Sequence, residues 1–442
     1  MMYAKLRHND LFEKLFLLFI IIQPILDLIT GLTLKLTDSQ FSLSLIIRTL
    51  FLMIFGLYLI FFKNYPYHKK QLLYFLILAI YLCINLCINY FMKPQFYLAS
   101  EIKFILKAIY FVVTLSIYAV VFKTTHLNWK EKSLQYIYFA MTIYSSIILI
   151  AGITGTSFPS YEWEKVGHVG WFYSGNEIGA VLSIGFPVVL LTAIKKSRLY
   201  WLPVLIMIYA LFAIGTKVGY GTILLVMIIA LAFTLLDLIV NRGRAKKQLK
   251  TLGILTIILI GTFVYTPFSP IAQNMGIHLS ILNEQNEIAS EAEQDLAINQ
   301  NSIESDQVQD LMLSGRDTYL DMHKSFFAEA PLSQKLFGMG YGGNYSSEPK
   351  MIEMDFHDLF YSFGIIGMII LTAPIIYCII KILYNGIKKF KQCYTYENIL
   401  LASSCALGFG IAFLAGHILT APGVSFYLAV IVAYLTVNVE QT

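Results

Sequence analysis

Charge is what this chain lacks. Only 13% of its 442 residues are charged, against 57% in the hydrophobic set, and the mean hydropathy is +0.67. A soluble domain carries about 25% charged residues, so this chain could not wet its own surface. That excludes an ordinary soluble enzyme, a disordered chain and a nucleic-acid binder of the usual design, and leaves a polytopic membrane protein. Cysteine is scarce as well. Cys83, Cys87, Cys378 and Cys405 lie in apolar runs, Cys393 lies in a Lys-rich loop, and no long polar loop holds a pair. That pattern argues against a disulfide framework and a Cys-type metal site. Neither a GxSxG elbow nor a Walker A loop is present, so serine hydrolysis and ATP-driven pumping have no support. The N-terminal stretch MMYAKLRHNDLFEK puts basic residues before an apolar run with no small-residue cleavage site. It reads as the lead-in to a first transmembrane helix rather than a cleaved signal.

What is there is a series of long apolar runs. They fall at 15–34, 43–62, 71–92, 102–122, 134–153, 175–194, 199–215, 217–240, 251–268, 357–380, 399–417 and 421–438. Each approaches the about 20 residues that a helix needs to cross a bilayer. The fold expected is an all-α bundle of about twelve spans. The expected division is 1–268 for spans 1–9, 269–356 for one large loop, and 357–442 for spans 10–12. Lys and Arg cluster in every second connection: Lys63, Lys69 and Lys70; Lys123, Lys130 and Lys132; Lys195, Lys196 and Arg198; then 242–250 and 381–391. All fall on the side of the N-terminus, so the positive-inside rule puts both termini in the cytoplasm.

The net charge of +5 conceals a cancellation. Residues 269–356 hold fourteen acidic and four basic residues, a net of −10, while the remainder of the chain carries +15. The stretch 283–310 has eight acidic residues and no basic one. It reads as a mobile, solvated insertion. Beyond it, Ser314 is a candidate helix cap, and residues 314–330 show helical spacing up to Pro331. The glycine-rich run Gly338–Gly343 reads as a flexible turn; with no βαβ unit around it, a dinucleotide site is discounted.

Ionisable groups within spans are costly and so draw attention to function. They are Asp27, Arg48, Lys103, Lys107, Glu177, Lys217 and Asp237, with His357 and Asp358 opening span 10. The topology brings all but Asp237 to the outer membrane level, beneath the loop that carries Arg316. Snorkelling or ion pairing explains Lys103 alone, and Asp27–Arg48 makes sense as a structural pair. Four or five cations together suit an anionic lipid headgroup, with Arg gripping phosphate bidentately and Lys acting as a point charge. His357 is the candidate base, ahead of a helix-start structural role. A metal role ranks last, since no second His stands at ligand spacing.

Several residues carry a resemblance. Ser314-Gly315-Arg316, Pro331-Leu332, Phe337-Gly338-Met339-Gly340-Tyr341-Gly342 and His357-Asp358-Leu359-Phe360-Tyr361 with Gly364 and Gly367 resemble the O-antigen ligase/O-antigen polymerase superfamily. Gly175-Asn176-Glu177-Ile178-Gly179 is similar to that family's Asn-Glu-Leu-Gly/Ala element, and Gly215-Thr216-Lys217 stands where members carry Ser-Arg-Gly. The resemblance implies a GT-C-like membrane glycosyltransferase, with no metal, nucleotide sugar or other cofactor. It would take glycan from undecaprenyl diphosphate at the outer face of the bacterial cytoplasmic membrane. It implies His357 as the group activating the acceptor hydroxyl, and Arg316 and position 217 as the diphosphate grip. Position 217 is Lys, which keeps the charge without the planar fork. The family's His-Asn pair reads His357-Asp358.

The expected function is polymerisation of lipid-linked repeat units into surface polysaccharide. His357 and Arg316 would be catalytic, Lys217, Arg48 and Lys107 would bind diphosphate, and Asp27, Asn176, Glu177 and Asp358 would support them. The expected partners are lipid-linked donor and acceptor glycans, the bilayer and other polysaccharide-assembly proteins, with no nucleic acid. The alternatives are ligase-type transfer of finished glycan to another acceptor, or a flippase or transporter. A transporter would show two halves about a central cytoplasmic loop; here the long loop divides the chain nine-plus-three.

Overall fold

A computed structural model of the chain describes residues 10–37, 42–61, 67–124, 127–161, 165–196, 198–240, 245–277, 316–346 and 350–441. The expectations for the acidic stretch 283–310 and for a Ser314 cap fall outside these residues. Among the described residues the fold is all-α. Eleven helices are long and apolar enough to cross a bilayer, and one shorter apolar helix joins them. In chain order they are α1 (Asp10–Leu36), α2 (Leu43–Phe61), α3 (His68–Met92), α4 (Leu98–Thr124), α5 (Leu127–Ile153), α6 (Gly175–Lys195), α7 (Trp201–Ile214), α8 (Lys217–Val240) and α9 (Ala245–Tyr265). The loop adds α10 (Arg316–Glu329) and α11 (Leu332–Phe337). The chain then returns through α12 (Asp355–Lys388), α13 (Tyr396–Leu414) and α14 (Pro422–Gln441).

The seventh expected span is the short one. Its helix has 14 residues, roughly 21 Å at 1.5 Å per residue, against a hydrocarbon core of about 30 Å. It nonetheless joins the Lys195 end of α6 to the Lys217 start of α8, which lie at opposite faces of the bundle, so the alternation of connections survives. The stop is sharp because Gly215 caps α7 in the left-handed region, at φ 76°. A Cβ there would stand 2.8 Å from both Asn274 Nδ2 and the Val166 carbonyl.

The middle of the bundle is built by α4, α6 and α14. Burial covers 94% of the most apolar stretch of α14 and 89% of that of α6, but only 17% in α3 and α9, which form the periphery. Lipid is as apolar as a leucine side chain, so central helices gain by close van der Waals approach and not by escape from water. Small residues on α14, Gly423, Ser425, Ala429 and Ala433, are all buried and permit that approach. At one face, basic side chains from separate connections meet the C-terminal end of α14. Lys123 and Lys381 pair with Glu440, and Lys130 donates to Asn438 Oδ1 at 2.7 Å. Lys123, Lys130 and Lys381, from connections that the sequence assigns to one side, share this face.

At the other face the loop is docked onto the bundle, which corrects the expectation of a flexible turn at 338–343. The helix α12 breaks at Gly364 (φ 63°, ψ −171°). The carbonyls released there accept hydrogen bonds from the loop: Met339 N to Tyr361 O at 2.9 Å and Gly340 N to Ser362 O at 3.0 Å. Asn85 on α3 donates to Phe337 O at 2.6 Å and to Ser362 O at 3.2 Å, while Tyr81 donates to Phe363 O. Glycine is required at 338, where φ is 95° and a Cβ would lie 2.2 Å from Ser362 O. A buried pair completes the clamp. Glu101 accepts from Lys93 at 2.6 Å and from Tyr341 N at 2.8 Å, and Lys93 also donates to Tyr341 O at 2.7 Å.

Candidate functional site

Two neighbouring cavities open at the loop-bearing face. The first, about 220 Å³, is lined by Lys165, Lys217 and Arg316, by Tyr161, Asn176 and Thr216, and by Gly416 and His417 among others; among the described residues its lining holds no acid. Two helices begin there. Ser174 caps α6, its Oγ accepting from Glu177 N at 3.4 Å, and Thr216 accepts from Gly219 N at 3.1 Å at the start of α8. Helix N-termini direct free amides and a partial positive charge outward. Three cationic side chains and two such termini make this an anion site by composition. Asn274 holds the parts in register. It donates to Val166 O at 2.7 Å and to Gly215 O at 3.0 Å, and accepts from Val166 N at 2.7 Å, tying the Lys165 connection to the Lys217 turn.

The second cavity, about 280 Å³, is mixed in charge. Lys103 and Lys107 enter from one face of α4, Glu177 from α6, Glu353 and Asp358 from the loop and the head of α12, and Thr420 from the α13–α14 turn. His417 lines both cavities. Its Nε2 stands 3.6 Å from Glu353 Oε2, an ion-pair distance. Glu353 also faces Arg316 Nη2 at 3.8 Å and Lys350 Nζ at 4.0 Å. Burial works against charge on His417, but the adjoining Glu353, with Glu177 and Asp355 nearby, raises its proton affinity above the ordinary histidine range. In turn, the adjoining His417 holds the Glu353 carboxyl below its usual range against the cost of burial, helped by Arg316 and Lys350.

The backbone around His417 is strained and firmly anchored. His417 (φ 59°) and Glu353 (φ 67°) are the non-glycine residues with positive φ among those described. Such conformations cost free energy and persist only where the surroundings enforce them. The enforcing group is Asp355, fully buried at the head of α12. Its Oδ2 accepts from Ile418 N at 2.8 Å and Leu419 N at 2.9 Å, and its Oδ1 from Thr420 N at 3.3 Å.

A family model for the O-antigen ligase like membrane protein matches residues 9–442. The chain belongs to that family. Comparison with curated proteins and with solved structures gave no match. Membership makes this a multi-pass membrane protein of a family devoted to membrane glycan transfer.

Of the residues singled out from sequence, Asn176, Lys217 and Arg316 meet in the cationic cavity, and Lys107, Glu177 and Asp358 in the mixed one. Asp358 is largely committed to structure, its Oδ1 accepting from Ile352 N at 2.9 Å. Arg48 and Asp27 line neither cavity. They form a buried pair at 2.8 Å, with Gln23 accepting from Arg48 Nε at 2.9 Å and Tyr144 donating to Asp27 at 2.5 Å. This is the structural pairing foreseen as the alternative to a diphosphate contact. His357 also lines neither cavity. Its ring lies 5.9 Å from that of Phe413, and its Nδ1 is buried without a hydrogen-bond partner among the described residues. Sequence reasoning missed His417, Lys165 and Asp355. The only sign of His417 was an imidazole after Gly416 at the end of an apolar run, five residues before Pro422.

Proposed function

We infer that the chain extends a surface polysaccharide by transferring glycan from a lipid-linked diphosphate donor to a sugar hydroxyl of a second lipid-linked unit. The observation that carries this reading is the contrast between the adjoining cavities. Among the described residues, one is lined by three cations without an acid; the other mixes lysines, carboxylates and hydroxyls. A leaving diphosphate gains negative charge as the glycosidic bond breaks, so preorganised cations beside it stabilise the transition state more than the ground state. Arg316, Lys217 and Lys165 supply that stabilisation. The mixed cavity suits a polyol, whose hydroxyls both donate and accept; His357, next to its lining residue Asp358 but outside the lining itself, is proposed to meet the acceptor where it enters. The peripheral apolar faces provide a path for the polyprenyl tails in the bilayer.

The test uses the full-length protein in lipid nanodiscs with undecaprenyl-diphosphate repeat units as the only sugar source. A ladder of lipid-linked products supports the reading. Transfer solely to an added non-prenyl acceptor would move the assignment to a ligase, and no transfer to either would remove it.

A further inference from the structure

We propose that His417 carries the proton of the reaction, taking it from the acceptor hydroxyl in the mixed cavity and delivering it to the departing diphosphate in the cationic one. The assignment rests on the glycan-transfer reading above and adds to it a residue and a direction. His417 lines both cavities, and its neighbours give it what an acid–base residue needs. Glu353 stands 3.6 Å from Nε2, an ion-pair distance and not a hydrogen bond, as a carboxylate that stabilises the charged imidazole. Asp355 pins the next three residues through their amides. Gly416 allows the close approach, since a Cβ there would lie 2.3 Å from Glu353 O. A strained φ of 59° on a non-glycine residue, held by this much surrounding structure, is the kind of conformation that collects at working sites.

The step balances without a co-reactant. The acceptor oxygen forms a bond to the anomeric carbon as the bond from that carbon to the diphosphate oxygen breaks. The electron pair of the broken bond stays on the diphosphate. The acceptor proton passes to the imidazole and from there to the diphosphate oxygen, which returns His417 to its neutral form.

The groups facing His417 set the pH at which it works. Burial opposes its protonation, and Glu353 from the loop, Glu177 from α6 and Asp355 from α12 favour it; Lys103 and Lys107 from α4 and Asp358 from α12 line its mixed-cavity side, and Arg316, Lys217 and Lys165 its cationic side. The net effect is upward. Neutral imidazole, the form that accepts a proton, is therefore filled only at higher pH than for a free histidine. Removing the Glu353 charge shifts that requirement to lower pH.

The experiment compares the wild type with His417→Asn and Glu353→Gln, full-length in nanodiscs, measuring single-turnover transfer from a lipid-linked donor across pH. Asparagine, like histidine, is among the non-glycine residues that tolerate the left-handed backbone, so the turn is kept while proton transfer is lost. We expect His417→Asn to lower kcat by about 100-fold or more, with KM for the donor little changed. We expect Glu353→Gln to move the acid limb of the profile to lower pH, which a purely structural role would not do. An active wild type beside a His417→Asn variant with an unaltered rate overturns this assignment alone. So does an unmoved acid limb in Glu353→Gln. A wild type that transfers no sugar overturns the functional reading, and this assignment with it.

Discussion

Arg316→Ala offers the sharpest test of the cationic cavity. The guanidinium side chain is only 14% exposed, so its attraction for a bound phosphate acts largely out of water. Two unit charges about 4 Å apart interact by about 4 kcal/mol at an effective dielectric near 20. Some of that is offset because binding phosphate must loosen the Glu353 contact at 3.8 Å. A net loss of about 3 kcal/mol follows, in line with removing one preorganised electrostatic donor, and corresponds to roughly a 150-fold fall in rate. Charge accumulates on the leaving group in the transition state, so the loss belongs in kcat and kcat/KM together rather than in KM. Single-turnover rates from a lipid-linked donor measure it directly. The loose Glu353 contact contributes little to folding, so the thermal midpoint should stay within about 3 °C of wild type. Arg316→Lys should recover roughly tenfold of the loss by restoring charge without the fork. A well-folded Arg316→Ala protein within about fivefold of the wild-type rate would refute the placement of the diphosphate.

Lys217→Arg should match or exceed wild-type activity, since it adds a bidentate fork at a site already cationic, whereas Lys217→Glu should abolish transfer; both are read from polymer length on gels. Asp355→Ala strips three amides of a buried anionic acceptor and should lower stability by about 2–4 kcal/mol, seen as a lower thermal midpoint in detergent. Gly340→Ala would place a Cβ 2.8 Å from both Glu101 oxygens and should open the loop clamp, detected as faster amide exchange at 338–343. The pair Asp27→Asn with Arg48→Met should keep activity within about threefold of wild type, because its charges meet each other at 2.8 Å and line neither cavity. A large loss in that double variant, with the protein still folded, would return Arg48 to the substrate site.

Much of the bundle was legible before any coordinates. A run of about 20 apolar residues has one stable solution in lipid, a helix that satisfies its own backbone, and eleven such helices are present among the described residues. The alternation of basic connections also survived, because Lys and Arg avoid hydrocarbon whatever the packing. The site was legible only in part. Arg316, Lys217 and Asn176 stood out as charges or motif residues at the right level, and they share one cavity. The level of a residue along the membrane normal follows from its place in a span. Its direction around the helix does not, and direction separates Arg48, turned toward Asp27, from Lys217, turned into the cationic cavity.

Composition and periodicity by themselves determined that this is a multi-pass α-helical membrane protein. They did so because solvation of apolar and ionic groups is a local property, decided residue by residue. Tertiary structure alone decided that the glycine-rich loop is clamped and not free, that Asp27 and Arg48 pair with each other, and that His417 stands between two cavities facing Glu353. Each of these depends on segments far apart in sequence meeting in space. Asp355 reaching the amides of 418–420, and Asn274 joining residues 166 and 215, are long-range bonds that no local pattern encodes.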